Sequence, residues 1–181
     1  MEWGKQMEKH QENAKLSLYQ NTNYSFERSE RKTLIIDMDD DNTGGTNVLS
    51  GPNEFSIKLH EPLIIDKLSD IYLDSFTTSK CKQSTSDLMC FILNINEFNN
   101  HSNSNNSKIF NSIIIPNEEG ASASAQAKVH KGKKMNYICS INPTKLSNIT
   151  GKIQSLGGNN MFNGSGRFIA EFVIVARDDD N

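Results

Sequence analysis

Phe55, Ile57 and Leu59 alternate with Ser56, Lys58 and His60. That period of two predicts a half-buried strand. Glu61-Pro62 is expected to stop it, because proline lacks the N–H that a sheet ladder uses. A second strand is expected from Leu68 to Phe76, dense in Ile, Tyr, Leu and Phe. The stretch Glu54–Ser79 therefore reads as strand, corner, strand, and the rest of the chain repeats the theme. Thr33–Met38 (TLIIDM) runs into an Asp-, Asn- and Gly-rich turn. Leu88–Ile95 (LMCFILNI) is apolar on both faces, as expected for a strand covered on both sides. Ile109–Ile115 is closed by Pro116. Met135, Tyr137, Cys139 and Ile141 share one face of another strand. Ile149, Gly151 and Ile153 alternate with Thr150 and Lys152. Arg167–Ala176 (RFIAEFVIVA) sets Phe168, Ala170, Phe172 and Ile174 against Ile169, Val173 and Val175. It is expected to be central and covered on both faces.

The pattern predicts eight strands, near 33–38, 54–60, 68–77, 88–96, 109–115, 135–141, 147–155 and 167–176, with no helix in the body. Exposed loops are expected at Cys81–Asp87, at the Asn- and Ser-rich His101–Lys108, at Gly120–Lys128 and at Gly157–Gly166; Lys131–Lys134 reads as a basic tip. Several links are too long for hairpins, which favours Greek-key crossings. The expected fold class is all-β, an eight-stranded single jelly-roll β-sandwich. Its core is expected to include Phe55, Ile57, Leu59, Phe91, Ile149, Phe168, Phe172 and Ile174.

Domain organisation follows from the same pattern: a polar arm over 1–31, a jelly-roll domain over 32–177 and an acidic tail over 178–181. The arm lacks a sustained period, yet it holds Trp3, Leu16, Leu18, Tyr19, Tyr24 and Phe26. A purely solvating tail has little use for those side chains. Ordering all of it costs about 1–2 kcal/mol per residue for the backbone. The arm as a whole is therefore expected to stay mobile in a free subunit and to order only partly, in an assembly. Trp3, Leu16, Leu18, Tyr24 and Phe26 are its candidate subunit contacts.

Length and composition narrow the classes. A chain of 181 residues suits one domain and buries roughly two thirds of its unfolded surface. Net charge is −3, without a clustered basic stripe, which argues against nucleic acid as a partner. No apolar run approaches the ~20 residues of a membrane span, and the charged start Met1–His10 is not expected to act as a signal peptide. Three scattered cysteines, Cys81, Cys90 and Cys139, suit reduced thiols better than a disulfide framework.

Candidate chemistry is thin. Asp37, Asp39 and Asp41 hint at calcium, but an EF-hand loop counted from Asp37 needs Gly and Glu where Asn42 and Val48 stand. His10, His60, His101 and His130 lack the close pairing of cupin metal sites, and His60 reads as a surface residue. No G-x-S-x-G or H-E-x-x-H occurs, and Gly157-Gly158 and Gly164–Gly166 are not followed by the Lys-Ser or Lys-Thr pair of a phosphate loop. Hence no catalytic residue, metal or cofactor is expected, and the chain is read as a non-enzyme.

The phrases EFSIKLHEPLIIDKLSDIYLDSFTT, LMCFILNINEFN, IFNSIIIPNE and NPTKLSNITGKI…GRFIAEFVIVAR resemble small capsid proteins of the nucleocytoplasmic large DNA viruses. The likeness spans roughly residues 33–177 and leaves out the arm and the loop His101–Lys108. It implies a shell protein of the virion, assembled in the host cytoplasm. One jelly roll per subunit suits a homopentameric penton at the five-fold vertices. Its partners would be itself and the major and minor capsid proteins, without nucleic acid or direct membrane insertion. A minor capsid protein and a trimeric β-sandwich ligand-binding module are the alternatives.

Overall fold

The computed structural model describes residues 30–39, 48–50, 54–81, 89–117, 127–131, 135–159 and 162–177. Every regular element among them is a strand: β1 (Arg31–Asp39), β2 (Val48–Ser50), β3 (Glu54–Ile65), β4 (Ser69–Cys81), β5 (Cys90–Ile95), β6 (Ile113–Pro116), β7 (Ala127–Lys131), β8 (Asn136–Ile141), β9 (Thr144–Ser155) and β10 (Phe162–Ala176). They form two antiparallel sheets. The first has the order β1-β10-β4, with β7 and β8 both pairing to the far edge of β4; the second has the order β2-β3-β9-β5-β6. The protein is a β-sandwich.

The pairing is nested. β7 and β8 lie end to end on one edge of β4 and count as one interrupted strand, and β2 is a short addition to the edge of β3. The remaining body is eight strands in which first pairs with last (β1 with β10), second with seventh (β3 with β9), third with sixth (β4 with β7 and β8) and fourth with fifth (β5 with β6). That is the pairing of one long hairpin rolled up into two sheets.

The core lies between the sheets. Phe55, Ile57, Phe91, Ile149, Phe168, Phe172 and Ile174 are buried there, joined by Leu34, Ile36, Met38, Ile71, Leu73 and Phe76. Rings interlock across it. Phe55 meets Phe168 edge-on at 5.7 Å, and Phe98 meets Phe172 at 5.3 Å. Gly151 admits the Phe55 ring: a Cβ there would collide with that ring and with the Asn94 carbonyl, so the residue opposite Phe55 must be glycine.

Several sequence expectations are corrected. Pro62 does not stop β3. The ladder between β3 and β9 is interrupted from Lys58 to Leu63, so Pro62 sits where no N–H is demanded. The same interruption leaves Leu59 only partly buried against the core. β6 begins at Ile113, because Asn111 takes a positive φ of 52° and residues 109–111 turn. Ala127–Lys131 is a strand that runs from the end of the expected loop Gly120–Lys128 to the start of the expected basic tip, and Phe162–Gly166 is a strand within the expected loop Gly157–Gly166. Bulges reset the period of two. Asp74 is the extra residue of β4, so Leu73 and Phe76 both face inward. Ile138 is the extra residue of β8, which leaves Tyr137 exposed while Cys139 is buried. β10 is covered on its inner face only; Ile169, Val173 and Val175 are half-buried on the outer one.

Candidate functional site

The edges β6 and β8 belong to different sheets, and a cleft of about 300 Å³ opens between them. Leu73, Ile113 and Ile138 form its apolar floor. Asn100, Ser102, Ser112, Asn136 and Tyr137 supply amide and hydroxyl groups at its wall, and Ile114 is exposed at the rim. Residues 96–112 build one side. His101 and Asn111 both take positive φ, at 49° and 52°, a region that Asn and His tolerate better than most residues. The His101 N–H donates to Asn111 Oδ1 (3.1 Å), the Asn111 N–H to the Ser102 carbonyl (3.0 Å) and the Ser112 N–H to Ser102 Oγ (3.1 Å). The Asn- and Ser-rich segment is thus tied together by its own short side chains.

The same segment is fastened to the second sheet. Asn94 Nδ2 donates to the Asn111 carbonyl (2.7 Å), and buried Gln154 donates through Nε2 to the Lys108 carbonyl (2.8 Å). Lys108 Nζ reaches the Gly157 carbonyl (2.6 Å). At the root of the segment both oxygens of Glu97 accept from the Thr150 N–H.

Beside the cleft lies a polar cluster on the outer face of the first sheet. Arg177 donates through Nε (3.0 Å) and Nη2 (2.7 Å) to Asp70 Oδ1. Ser140 Oγ donates to the same oxygen at 2.8 Å and lies 3.0 Å from the Tyr137 hydroxyl. The Arg177 guanidinium holds the Asp70 carboxyl below its ordinary value, against an opposing effect of burial. Behind it, burial pushes the Cys139 thiol up to about 11, with the Asp70 charge adding to the shift. Cys90 is raised by burial as well. Both are neutral at physiological pH, the state of an inert structural thiol rather than a nucleophile.

What the cleft offers is shape, apolar contact and neutral hydrogen bonding, since none of its lining residues carries a charge. Among the described residues no group of three or more His, Cys, Asp or Glu is placed to hold a metal. Asp37, part of the acidic run, is engaged by Arg167 across β1 and β10. His60 is exposed on β3. His130 was not singled out by its sequence context, yet it is the extra residue of the β7 bulge and lies in the core. Its Nε2 is 2.6 Å from Thr78 Oγ1, and its ring stands edge-on to Phe91 at 4.5 Å. Its flanks Lys128 and Lys131 read as solvated loop and tip, so the sequence carried no signal for a buried ring there. Trp3, Leu16, Leu18, Tyr24 and Phe26 lie outside the described residues, as do Asp40 and Asp41.

Compared with known proteins, the chain matches no protein-family model and no curated sequence. Among the described residues no helix is long and apolar enough to cross a membrane.

Proposed function

We propose that the chain is a single jelly-roll structural protein of an icosahedral shell, filling the five-fold vertices of a large DNA virus as a homopentamer. The observation that carries this reading is the nested pairing of the eight-strand body, first with last through fourth with fifth. It is the connectivity expected when two Greek keys share one sandwich. The phrases that resemble small capsid proteins fall on β3, β4, β5, β6, β9 and β10, so the resemblance follows the strands of the sandwich. The uncharged cleft and the neutral buried thiols suit a protein that works by contact.

The cleft between β6 and β8 favours a second reading, a trimeric β-sandwich that binds a ligand there, because its neutral hydrogen-bonding wall suits a polar uncharged molecule. Mass photometry of the purified chain and a cryo-EM map of the native particle separate the readings. The penton reading expects pentamers in solution and density for this sandwich at the vertices. A monomer found beneath the major capsid layer would make it a minor capsid protein. A trimer absent from particles would leave the ligand-binding module.

A further inference from the structure

β6 is an edge strand, and its outer side is open over a short, defined length. The Asn117 N–H donates to the Met89 carbonyl at 3.0 Å, which makes that opposed pair a hydrogen-bonded one. Antiparallel pairs alternate between bonded and non-bonded, so Ile115 opposite Phe91 and Ile113 opposite Leu93 are bonded pairs too. Ile114, opposite Ile92, and Pro116, opposite Cys90, are not, and their backbone groups point away from β5. Those of Ser112 point the same way, but Ser102 closes them. Its Oγ accepts the Ser112 N–H at 3.1 Å and lies 3.3 Å from the Ser112 carbonyl. Pro116 has a carbonyl and no N–H. The open edge is therefore the N–H and carbonyl of Ile114 and the carbonyl of Pro116, none of them bonded among the described residues.

This edge runs along the cleft. Ile113 belongs to the apolar floor with Leu73 and Ile138, and Asn136 stands at the wall on β8. Ile114 is 53% exposed on the opposite face of its strand. A molecule that meets both edge and floor needs a donor and an acceptor spaced as in one extended residue, with an apolar group one residue further on. Those are the features of a peptide strand. The lining residues are all uncharged, so a charged side chain entering the cleft would lose hydration without gaining a partner.

We propose that β6 and the cleft take up an extended, uncharged segment of another protein as an added antiparallel strand. One residue of that segment exchanges both hydrogen bonds with Ile114, and the residue two places before it donates to the Pro116 carbonyl. The side chain that follows stands beside Ile113, over Leu73 and Ile138. Ser102 at one end and Pro116 at the other leave the strand a single register. A second copy's β6 does not meet these demands, because its Ile113 and Ile115 are buried in its own core and would leave the cleft unfilled. The assignment rests on the cleft being a binding site and is independent of how many copies assemble.

The probe is the blocked peptide acetyl-Ser-Val-Thr-Val-Ser-amide, its Thr intended to lie opposite Ile114. The control is the same peptide N-methylated at Thr, which keeps every side chain but cannot donate to the Ile114 carbonyl. In NMR titrations of the full chain the first should shift the Ile114 and Asn136 amide signals saturably and slow hydrogen exchange at Ile114. The methylated peptide should bind about tenfold more weakly, the loss of one hydrogen bond. Ile114→Pro removes an N–H that β5 does not use, and should weaken the unmodified peptide severalfold while circular dichroism keeps the sandwich signature. Equal binding of the two peptides overturns the strand pairing. No shift at Ile114 with either peptide overturns the proposal outright; saturable shifts at Asn136 and Tyr137 on adding trehalose would then keep the cleft as a ligand site without a strand. Protection of the Ile114 amide in the free chain that vanishes on dilution also overturns it and gives the edge to a second copy.

Discussion

β5 and β10 carry the same signature, apolar side chains on both faces, and meet different fates. In β5, Phe91, Leu93 and Ile95 face the core, while Cys90 and Ile92 on the other face are also buried. The cover over that outer face is the Asn- and Ser-rich segment of residues 96–112, held by Asn94 and Gln154. In β10 the alternate residues Phe168, Ala170, Phe172 and Ile174 are buried, while Ile169, Val173 and Val175 between and beyond them stay half-exposed. The contrast teaches that a two-faced apolar strand signals a demand for cover without naming the cover. A segment with little hydrophobicity can meet that demand when its backbone polar groups are bonded internally and to the sheet below, so that little is lost on leaving water.

The inner face of β10 should show the largest effect. Phe172 is fully buried against Phe98, and Phe172→Ala is expected to cost about 3–5 kcal/mol in denaturant unfolding. Val173→Ala, one residue along on the outer face, should cost about 1 kcal/mol or less. Equal costs for the two would show that the outer face of β10 is as well covered as the inner one.

Ile92 tests the other half of the comparison. It is 1% exposed although it points away from the core cluster. If the 96–112 segment is a true cover, Ile92→Ala should cost about 2–4 kcal/mol, in the range of a core truncation. A cost near that of a surface change would mean that the segment opens freely. The fastening itself is probed by Gln154→Ala. This removes the donor to the Lys108 carbonyl and should cost about 1–3 kcal/mol. Hydrogen exchange in residues 102–112 should accelerate with it, while β10 amides keep their protection.

How much of this was legible in the chain depends on where the period of two survives. Phe55, Ile57, Ile149 and Phe172 lie on uninterrupted runs, and alternation alone assigns their face. The all-β class follows from the same runs. Tyr137 and Cys139 show the limit: two positions apart, they occupy opposite environments because Ile138 is an inserted residue, and a bulge leaves no composition mark. Pro62 misleads for a related reason, since a proline stops a strand only where its N–H is needed and β3 leaves the ladder there. The cleft was illegible because it is made by β6 and β8, which meet only through the crossing of the fold. The cover over β5 was hidden by its polarity, which reads as solvent exposure until its side-chain bonds are seen.

The smallest expected effect concerns the outer face shared by β4, β8 and the end of β10. Arg177 and Ser140 both donate to Asp70 Oδ1, and the Asp70 carboxyl is held below its ordinary 3.8. A carboxyl depressed in the folded state adds stability that is present above its unfolded value and is lost as pH falls through its folded value. The difference in melting temperature between the protein and Asp70→Asn should therefore be constant at neutral pH and shrink below about pH 4, the unfolded carboxylate range. Because the pair lies at the surface, added salt should narrow the difference as well. A difference that grows on acidification would show that Asp70 is held by burial and not by Arg177. The Tyr137 hydroxyl and the β8 edge would then owe their position to packing against Tyr72 rather than to the ionic cluster beside it.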